Sequence, residues 1–201
     1  FEAAAAGFLT GFSLILAIPA GYALSKRKLP LRSLFLLFFL LPQAFPTVAV
    51  HMNIARIFYG FGLTGTIWGV MLVHAIQGLV FAVWIASASF AAIGDDQVEA
   101  ARNLGASPLR AFMTISLPLA ARGLMASAIF VFLISLDEFS GTFFVGVPDI
   151  RTLPLTMLNA ALEGNYQIAS ITALLLLVPS ILFMLFVERF LKADVLASVG
   201  K

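Results

Sequence analysis

The sequence predicts an all-α membrane protein, a polytopic bundle of hydrophobic helices. Of its 201 residues, 61% are hydrophobic and only 11% are charged, whereas ordinary soluble domains have about 45–50% apolar and about 25% charged residues. A chain of this length leaves much of its surface facing solvent, and so few charged side chains cannot cover that surface. The mean hydropathy of +1.04 therefore indicates that lipid surrounds most of the exposed surface.

Long stretches without charge mark the helices that cross the membrane, since a crossing needs about 20 mostly apolar residues. The uncharged stretch over residues 57–94 is too long for one crossing, and the glycines within residues 60–65 divide it. Five crossings are predicted in a single domain over residues 1–201, at about residues 3–24, 34–53, 66–90, 119–136 and 170–187.

Small residues and prolines lie within these crossings. Gly7 and Gly11, and likewise Gly65 and Gly69, are four residues apart, which favours the close approach of membrane helices. Prolines remove backbone hydrogen bonds, which neighbouring helices must then satisfy; they stand at positions 19, 42, 46 and 179. We interpret these residues as ordinary features of helix packing.

The basic residues predict the orientation, because short cytoplasmic loops are enriched in Lys and Arg. Of the 12 basic residues, only Arg56 and Arg151 lie on the side opposite to the other ten. The segments predicted to face the cytoplasm are residues 25–33, 94–118 and 188–201. The chain then begins outside, at Phe1 rather than Met, so we expect a further helix upstream.

The composition excludes several classes of site. The chain has no cysteine and two histidines, which excludes disulfides, iron–sulfur clusters, thiolate sites and a three-histidine metal site. The basic residues of the predicted cytoplasmic segments account for the net charge of +2. We therefore expect no nucleic-acid partner. No GxxxxGK[ST] phosphate loop occurs, and the GxGxxG match at residues 60–65 follows no predicted strand, so we interpret it as a turn.

The loop over residues 94–118 is long and regular for a connection between two crossings. Its opening acidic pair favours a helix N-terminus, and Gly105 suits the left-handed position that ends a helix. Ser107 followed by Pro108 is typical of a helix cap and a first helical residue. The sequence predicts two short helices, joined at a bend, that lead directly into the fourth crossing.

The same loop resembles the cytoplasmic signature of the permease subunits of type I binding-protein-dependent ABC importers. That signature is Glu-Ala-Ala, three residues, Gly, nine residues, Ile, one residue and Leu-Pro. The matching residues here are Glu99, Ala100, Ala101, Gly105, Ile115, Leu117 and Pro118. The order of crossings is similar over essentially the whole chain, although the family usually has six helices against the five predicted here.

The resemblance implies a multi-pass transport subunit of the bacterial inner membrane, whose loop forms a coupling helix. Glu99 and Arg102 would face a separate ABC ATPase subunit, Ala100 and Ala101 would permit its close approach, and Gly105 would set the angle between the two short helices. The chain would be no enzyme and would hold no cofactor, since ATP and Mg²⁺ would belong to the ATPase. A second permease subunit, identical or related, and a periplasmic or extracellular solute-binding protein would complete the importer. From the pattern alone, an interfacial amphipathic helix is the alternative.

A polar and aromatic segment follows the fourth crossing on the outer side. It begins with Asp137, Glu138 and Phe139, and carboxylates near aromatic rings attract organic cations. This segment is similar to the polyamine branch of the family, the spermidine/putrescine permeases, and also to opine and phosphonate permeases. We expect these residues in the substrate path and a polyamine or related organic solute as cargo. The alternative is a solvated helix end or a contact with the binding protein.

His74, in the third crossing beside Gln77, raises the alternative of an ion-gradient-driven carrier or channel. It is assigned either to the substrate path or to a hydrogen bond with a neighbouring helix. Every Asp and Glu falls in a loop or at the end of a crossing. We therefore expect no acidic partner for His74 inside the membrane, which argues against such a carrier.

Overall fold

The computed structural model describes residues 2–27 and 30–199, with side chains described for residues 5–27, 30–182 and 185. Every regular element in these residues is a helix, which confirms the all-α class. In chain order the helices are α1 (Glu2–Lys26), α2 (Arg32–Leu40), α3 (Thr47–Gly60), α4 (Ile67–Ala91), α5 (Asp95–Asn103), α6 (Pro108–Ala111), α7 (Leu117–Asp137), α8 (Ser140–Val145), α9 (Leu153–Leu162) and α10 (Tyr166–Val199). Within the segments predicted to be cytoplasmic, Lys28, Leu29, Gly200 and Lys201 lie outside the described residues, as does Phe1 at the predicted outer end.

Three long apolar helices form the centre of the bundle. They are α1, α4 and the run from Pro108 to Asp137, at the positions of the predicted first, third and fourth crossings. Helix α1 packs along α4, and α7 contacts both. The shared core contains Ala17, Leu24, Ala82, Val83, Ala86, Phe90, Ile93, Ala120, Leu124 and Val131. Large apolar side chains also cover the outside, as expected where lipid is the solvent.

Close contact between helices occurs at Gly69 of the second predicted pair, where an added Cβ would lie 2.9 Å from Val145 Cγ1 in α8, and at Gly21, which was not predicted. A Cβ atom added at Gly21 of α1 would lie 2.7 Å from the Cβ of Ala86 in α4. In contrast, a Cβ added at Gly7 or Gly11 would meet nothing within 4 Å. The predicted helix contact at Gly7 and Gly11 is therefore wrong within the described chain.

The predicted second crossing is a bent pair of helices and not one continuous helix. Helix α2 continues into a 3-10 turn (Leu41–Ala44), and α3 leaves it at an angle of 97°. Phe45 is extended, with φ −103° and ψ 153°, because the residue before a proline is pushed out of the helical region. The predicted crossing at residues 34–53 is corrected accordingly: the chain turns before Pro46, and α3 extends to Gly60.

The predicted fifth crossing lies within α10. This helix begins at Tyr166 and continues to Val199, past the charged residues that were expected to end the crossing near residue 187. Its described side chains form an apolar stretch over Tyr166–Leu182, and the sequence stays uncharged up to Val187. Among the described residues, three helices are long and apolar enough to cross a membrane, or four when the bent pair is counted as one crossing. The count of five stays a prediction.

Candidate functional site

Helix α5 forms the first half of the predicted coupling loop and lies on the surface, with no buried residue. The side chains of Glu99, Ala100 and Arg102 are exposed, and that of Ala101 is half-buried. Directly after the helix, Leu104 is 90% exposed. Helix α5 and the residue that follows it therefore present charged side chains and one leucine to their surroundings.

The joint after α5 has the predicted geometry. Gly105 has φ +90°, a conformation that residues with a Cβ rarely adopt. The Ser107 hydroxyl accepts a hydrogen bond from the Arg110 N–H at 3.3 Å, and Pro108 is the first residue of α6. Two short helices joined at a bend are confirmed, and the second leads directly into α7.

The end of the signature lies where the loop enters the bundle. A π-helical turn (Phe112–Ser116) joins α6 to α7 and contacts α5. Ile115 and Leu117 are half-buried there, and Pro118 is exposed. The ring of Phe112 packs 4.8 Å, centre to centre, from that of Tyr22 in α1. The second half of the loop is therefore part of the core packing.

An ion pair ties the first half of the loop to α1. Lys26, the last residue of α1, lies with its Nζ 2.7 Å from Oδ1 of Asp95, the first residue of α5. The Lys26 ammonium also donates to the Ile93 carbonyl. Both residues lie in segments predicted to be cytoplasmic, and no local sequence pattern predicts that they pair. The contact brings these two segments to the same end of the bundle.

A buried polar cluster lies at the other end of α7. We use the name polar cluster for His51, His74, Ser135, Glu138, Ser140 and Thr142. Glu138 stands between α7 and α8 and is 6% exposed. Its Oε1 lies 3.4 Å from Nδ1 of His51 in α3, and its Oε2 lies 3.5 Å from Nε2 of His74 in α4.

Hydrogen bonds connect the polar cluster to the backbone of α8. The Glu138 carboxylate accepts from the Gly141 N–H at 2.8 Å, the Thr142 N–H at 3.2 Å and the Ser140 hydroxyl at 2.9 Å. Ser140 Oγ is also 2.6 Å from His51 Nδ1. Because the Ser140 proton is donated to Glu138, His51 Nδ1 must be the donor in this contact. Glu138 thereby holds α8 against α3.

His74 bridges α7 and α8. Its Nδ1 lies 3.0 Å from Ser135 Oγ at the end of α7, and its Nε2 lies 3.0 Å from Thr142 Oγ1 in α8. The predicted hydrogen bond to a neighbouring helix is therefore present. The expectation that no acidic side chain accompanies His74 is wrong, because Glu138 faces it. Within the described part of the chain, no group of three or more His, Asp or Glu side chains is arranged to hold a metal ion.

The three residues predicted together after the fourth crossing have different surroundings. Glu138 is buried and so is not the solvated helix end considered as its alternative, whereas Asp137 is exposed and Phe139 is 43% exposed. Sequence reasoning missed this difference because Ser140–Val145 folds back into the bundle, where four of its residues are buried. The hydroxyl residues at the end of α7 and in α8 are the one sequence signal that could have indicated buried hydrogen bonding there.

An open cleft adjoins the polar cluster between α3, α4 and the end of α7. It consists of two hollows that share Thr47 and Gln77, and we call it the Gln77 cleft. Oε1 of Gln77 is buried and has no hydrogen-bond partner among the described residues. An unpaired buried acceptor costs about 1–3 kcal/mol, so a donor that reached this atom would remove that cost. The other polar, aromatic or titratable lining residues are Gln43, His51, Asp137, Glu138, Phe139 and Ser140.

Comparison with known families decides what kind of protein carries these features. Residues 13–193 match the family model described as "Binding-protein-dependent transport system inner membrane component". The chain belongs to this family. It is thus a permease component of a binding-protein-dependent transport system, with several apolar helices in the inner membrane.

The relatives of this permease are named for different solutes. It is 27% identical over 183 residues to the putative 2-aminoethylphosphonate transport system permease protein PhnV of Salmonella typhimurium, covering 90% of this chain and 69% of the relative. It is 28% identical over 207 residues to the trehalose transport system permease protein SugB of Mycobacterium tuberculosis, covering 96% and 72%. The family is therefore shown, and the solute differs among its members.

A solved structure shares the fold of the permease. A chain of the MetNI methionine ABC transporter, in an inward-facing conformation, superposes with a TM-score of 0.71. The alignment covers 96% of this chain and 92% of the other at 18% sequence identity. The two chains thus share a fold over nearly the whole length of this chain.

Proposed function

We propose that this permease couples ATP hydrolysis on a separate subunit to the import of a small organic solute, and that α5 is the coupling contact. A soluble binding protein delivers the solute on the outer side. A second permease subunit, either another copy of this chain or a related one, completes the translocation path. ATP and Mg²⁺ are held by the ATPase, and this chain needs no cofactor of its own.

The observation that carries the proposal is the way in which α5 is attached. The helix exposes Glu99, Arg102 and the following Leu104. Its first residue pairs with α1 through Lys26, and its other end leads through Gly105 into α6 and α7. A displacement of α5 would therefore be transmitted to two of the three central helices, which is what a coupling helix requires.

The negative charge at the end of α7 limits the class of solute that we propose. A polyamine carries ammonium groups, and so does the 2-aminoethylphosphonate for which one relative is named. Asp137 is exposed at the outer end of α7 and can meet a cation, whereas Glu138 is buried by its contacts with α8. We propose an amine-bearing organic solute, of which a polyamine is one member.

Charge reversal at Glu99 tests the coupling role. Glu99→Lys should lower ATP-driven uptake by the complete transporter at least about tenfold, because a reversed charge at an interface costs several kcal/mol. The ATPase should also co-purify less well with this variant. Glu163→Lys makes the same charge change at an exposed residue between α9 and α10, and it should leave both measurements unchanged.

Substitution at the joint tests whether the bend transmits the movement. Gly105→Val forces a β-branched residue into a φ of +90°, which strains the backbone by at least about 1–2 kcal/mol. We expect normal ATPase co-purification but reduced uptake per ATP hydrolysed. Unchanged uptake in both Glu99→Lys and Gly105→Val at normal membrane abundance would contradict the proposal, as would ion-driven uptake by this chain alone in proteoliposomes.

A further inference from the structure

The Gln77 cleft offers hydrogen-bond acceptors to a ligand and no cationic group. Gln77 Oε1 is buried and unpaired, and Thr47 contributes an exposed hydroxyl to both hollows. Among the described residues, no Lys or Arg lines either hollow. A phosphonate or carboxylate would meet no Lys or Arg there, so the cleft favours a group that carries positive charge and donates hydrogen bonds.

A single free carboxylate supplies the charge of the cleft. Glu138 lines one hollow, but its oxygens already accept from the backbone of α8 and from Ser140. Asp137, the preceding residue, is exposed, and the described residues contain no hydrogen-bond or ion-pair partner for it. One available negative charge matches one ammonium group.

An aromatic ring borders the same hollow. Phe139 is 43% exposed and lines the hollow together with Asp137. The face of an aromatic ring attracts ammonium groups. A carboxylate, a neutral amide oxygen and an aromatic ring are thus combined in one cleft.

We propose that the Gln77 cleft binds the ammonium end of an organic solute. Asp137 supplies the charge, Gln77 the neutral acceptor and Phe139 the aromatic contact. The ligand class is organic amines, including zwitterions whose anionic end lies outside the cleft. This inference rests on the proposed function, since it assigns the recognition of the solute to a site within the permease.

The natural lack of cysteine permits a direct test on the complete transporter. Thr47→Cys introduces one thiol into this chain within the cleft, and partner cysteines are blocked beforehand. The labelling rates of this thiol are compared for two methanethiosulfonate reagents, one carrying trimethylammonium and one carrying sulfonate. Adding Asp137→Asn should lower the ratio of cationic to anionic rate at least about threefold, because the attracting charge is lost.

A matched control and three small-molecule probes complete the experiment. Glu163→Gln removes an exposed negative charge outside the cleft and should leave the rate ratio unchanged. Putrescine and 2-aminoethylphosphonate should slow labelling of the thiol when Asp137 is present, and trehalose, which has no amine, should not.

An unchanged rate ratio in Asp137→Asn overturns the proposal, as does protection by trehalose equal to or greater than that by the amines. The labelling rates of the thiol can be measured without ATP hydrolysis. Failure of the Glu99 experiment would therefore overturn the coupling role and leave this test intact.

Discussion

Replacement of Glu138 by glutamine should destabilise the permease strongly, although the two side chains have nearly the same shape. Each carboxylate oxygen lies within hydrogen-bond reach of donors: Oε1 faces Ser140 and the Gly141 N–H, and Oε2 faces the N–H groups of Gly141 and Thr142. A glutamine amide places an NH₂ group at one of these positions in either orientation. With the NH₂ group at the Oε2 position, the Thr142 N–H faces a donor. With the NH₂ group at the Oε1 position, the Ser140 hydroxyl loses its acceptor and the Gly141 N–H keeps only its contact with the other oxygen.

The size of the effect follows from the hydrogen bonds lost. A hydrogen bond to a charged group contributes about 1.5–3 kcal/mol, and a buried donor left unpaired costs about 1–3 kcal/mol. Glu138→Gln should therefore lower the free energy of unfolding by about 2–4 kcal/mol, measured by denaturant titration of the purified protein in detergent. Asp137→Asn is the matched control, since the same chemical change occurs one residue earlier at an exposed side chain. Equal stability of the two variants would refute the assignment of Glu138 as the group that holds α8.

Two further variants test the packing and the loop. Gly21→Val should destabilise the protein by about 1–3 kcal/mol in the same titration, because a Cβ there would lie 2.7 Å from a side chain of α4, whereas Gly11→Val has open space and should not. If both valines are tolerated equally, the contact between α1 and α4 is not as close as described. Lys26→Gln removes the ion pair with Asp95, so the amides of α5 should exchange hydrogen a few-fold faster. Arg27→Gln, at the next and exposed residue, should leave that exchange unchanged, and equal rates in both variants would speak against the tie to α1.

The two short helices of the loop over residues 94–118 could be predicted in detail because their signals are local. A glycine in the left-handed region and a Ser-Pro cap act within one helical turn, and the structure has Gly105 and Ser107 in these roles. The second crossing could not be predicted as well. The mean hydropathy of a stretch shows that it is apolar but not whether its helix is continuous. It therefore does not detect the bend at Pro46, which forces the preceding residue out of the helical region.

The polar cluster was missed for a different reason. The sequence separations are 89 residues between His51 and Ser140 and 68 between His74 and Thr142. No pattern within a helix relates such distant residues. The adjacent residues Asp137 and Glu138 were treated alike, although the return of α8 into the bundle buries only the second.

The sequence by itself determined that this chain is a helical membrane protein, and it predicts an orientation in the membrane and a contact between the loop over residues 94–118 and an ATPase. These properties depend on composition, on the distribution of charge and on helix caps, each of which acts along the chain. Only the tertiary structure decided that Glu138 joins α3, α4 and α8, and that Asp137 and Gln77 line an open cleft. The burial of a carboxylate and the availability of an acceptor depend on which helices meet in space, and packing alone determines that.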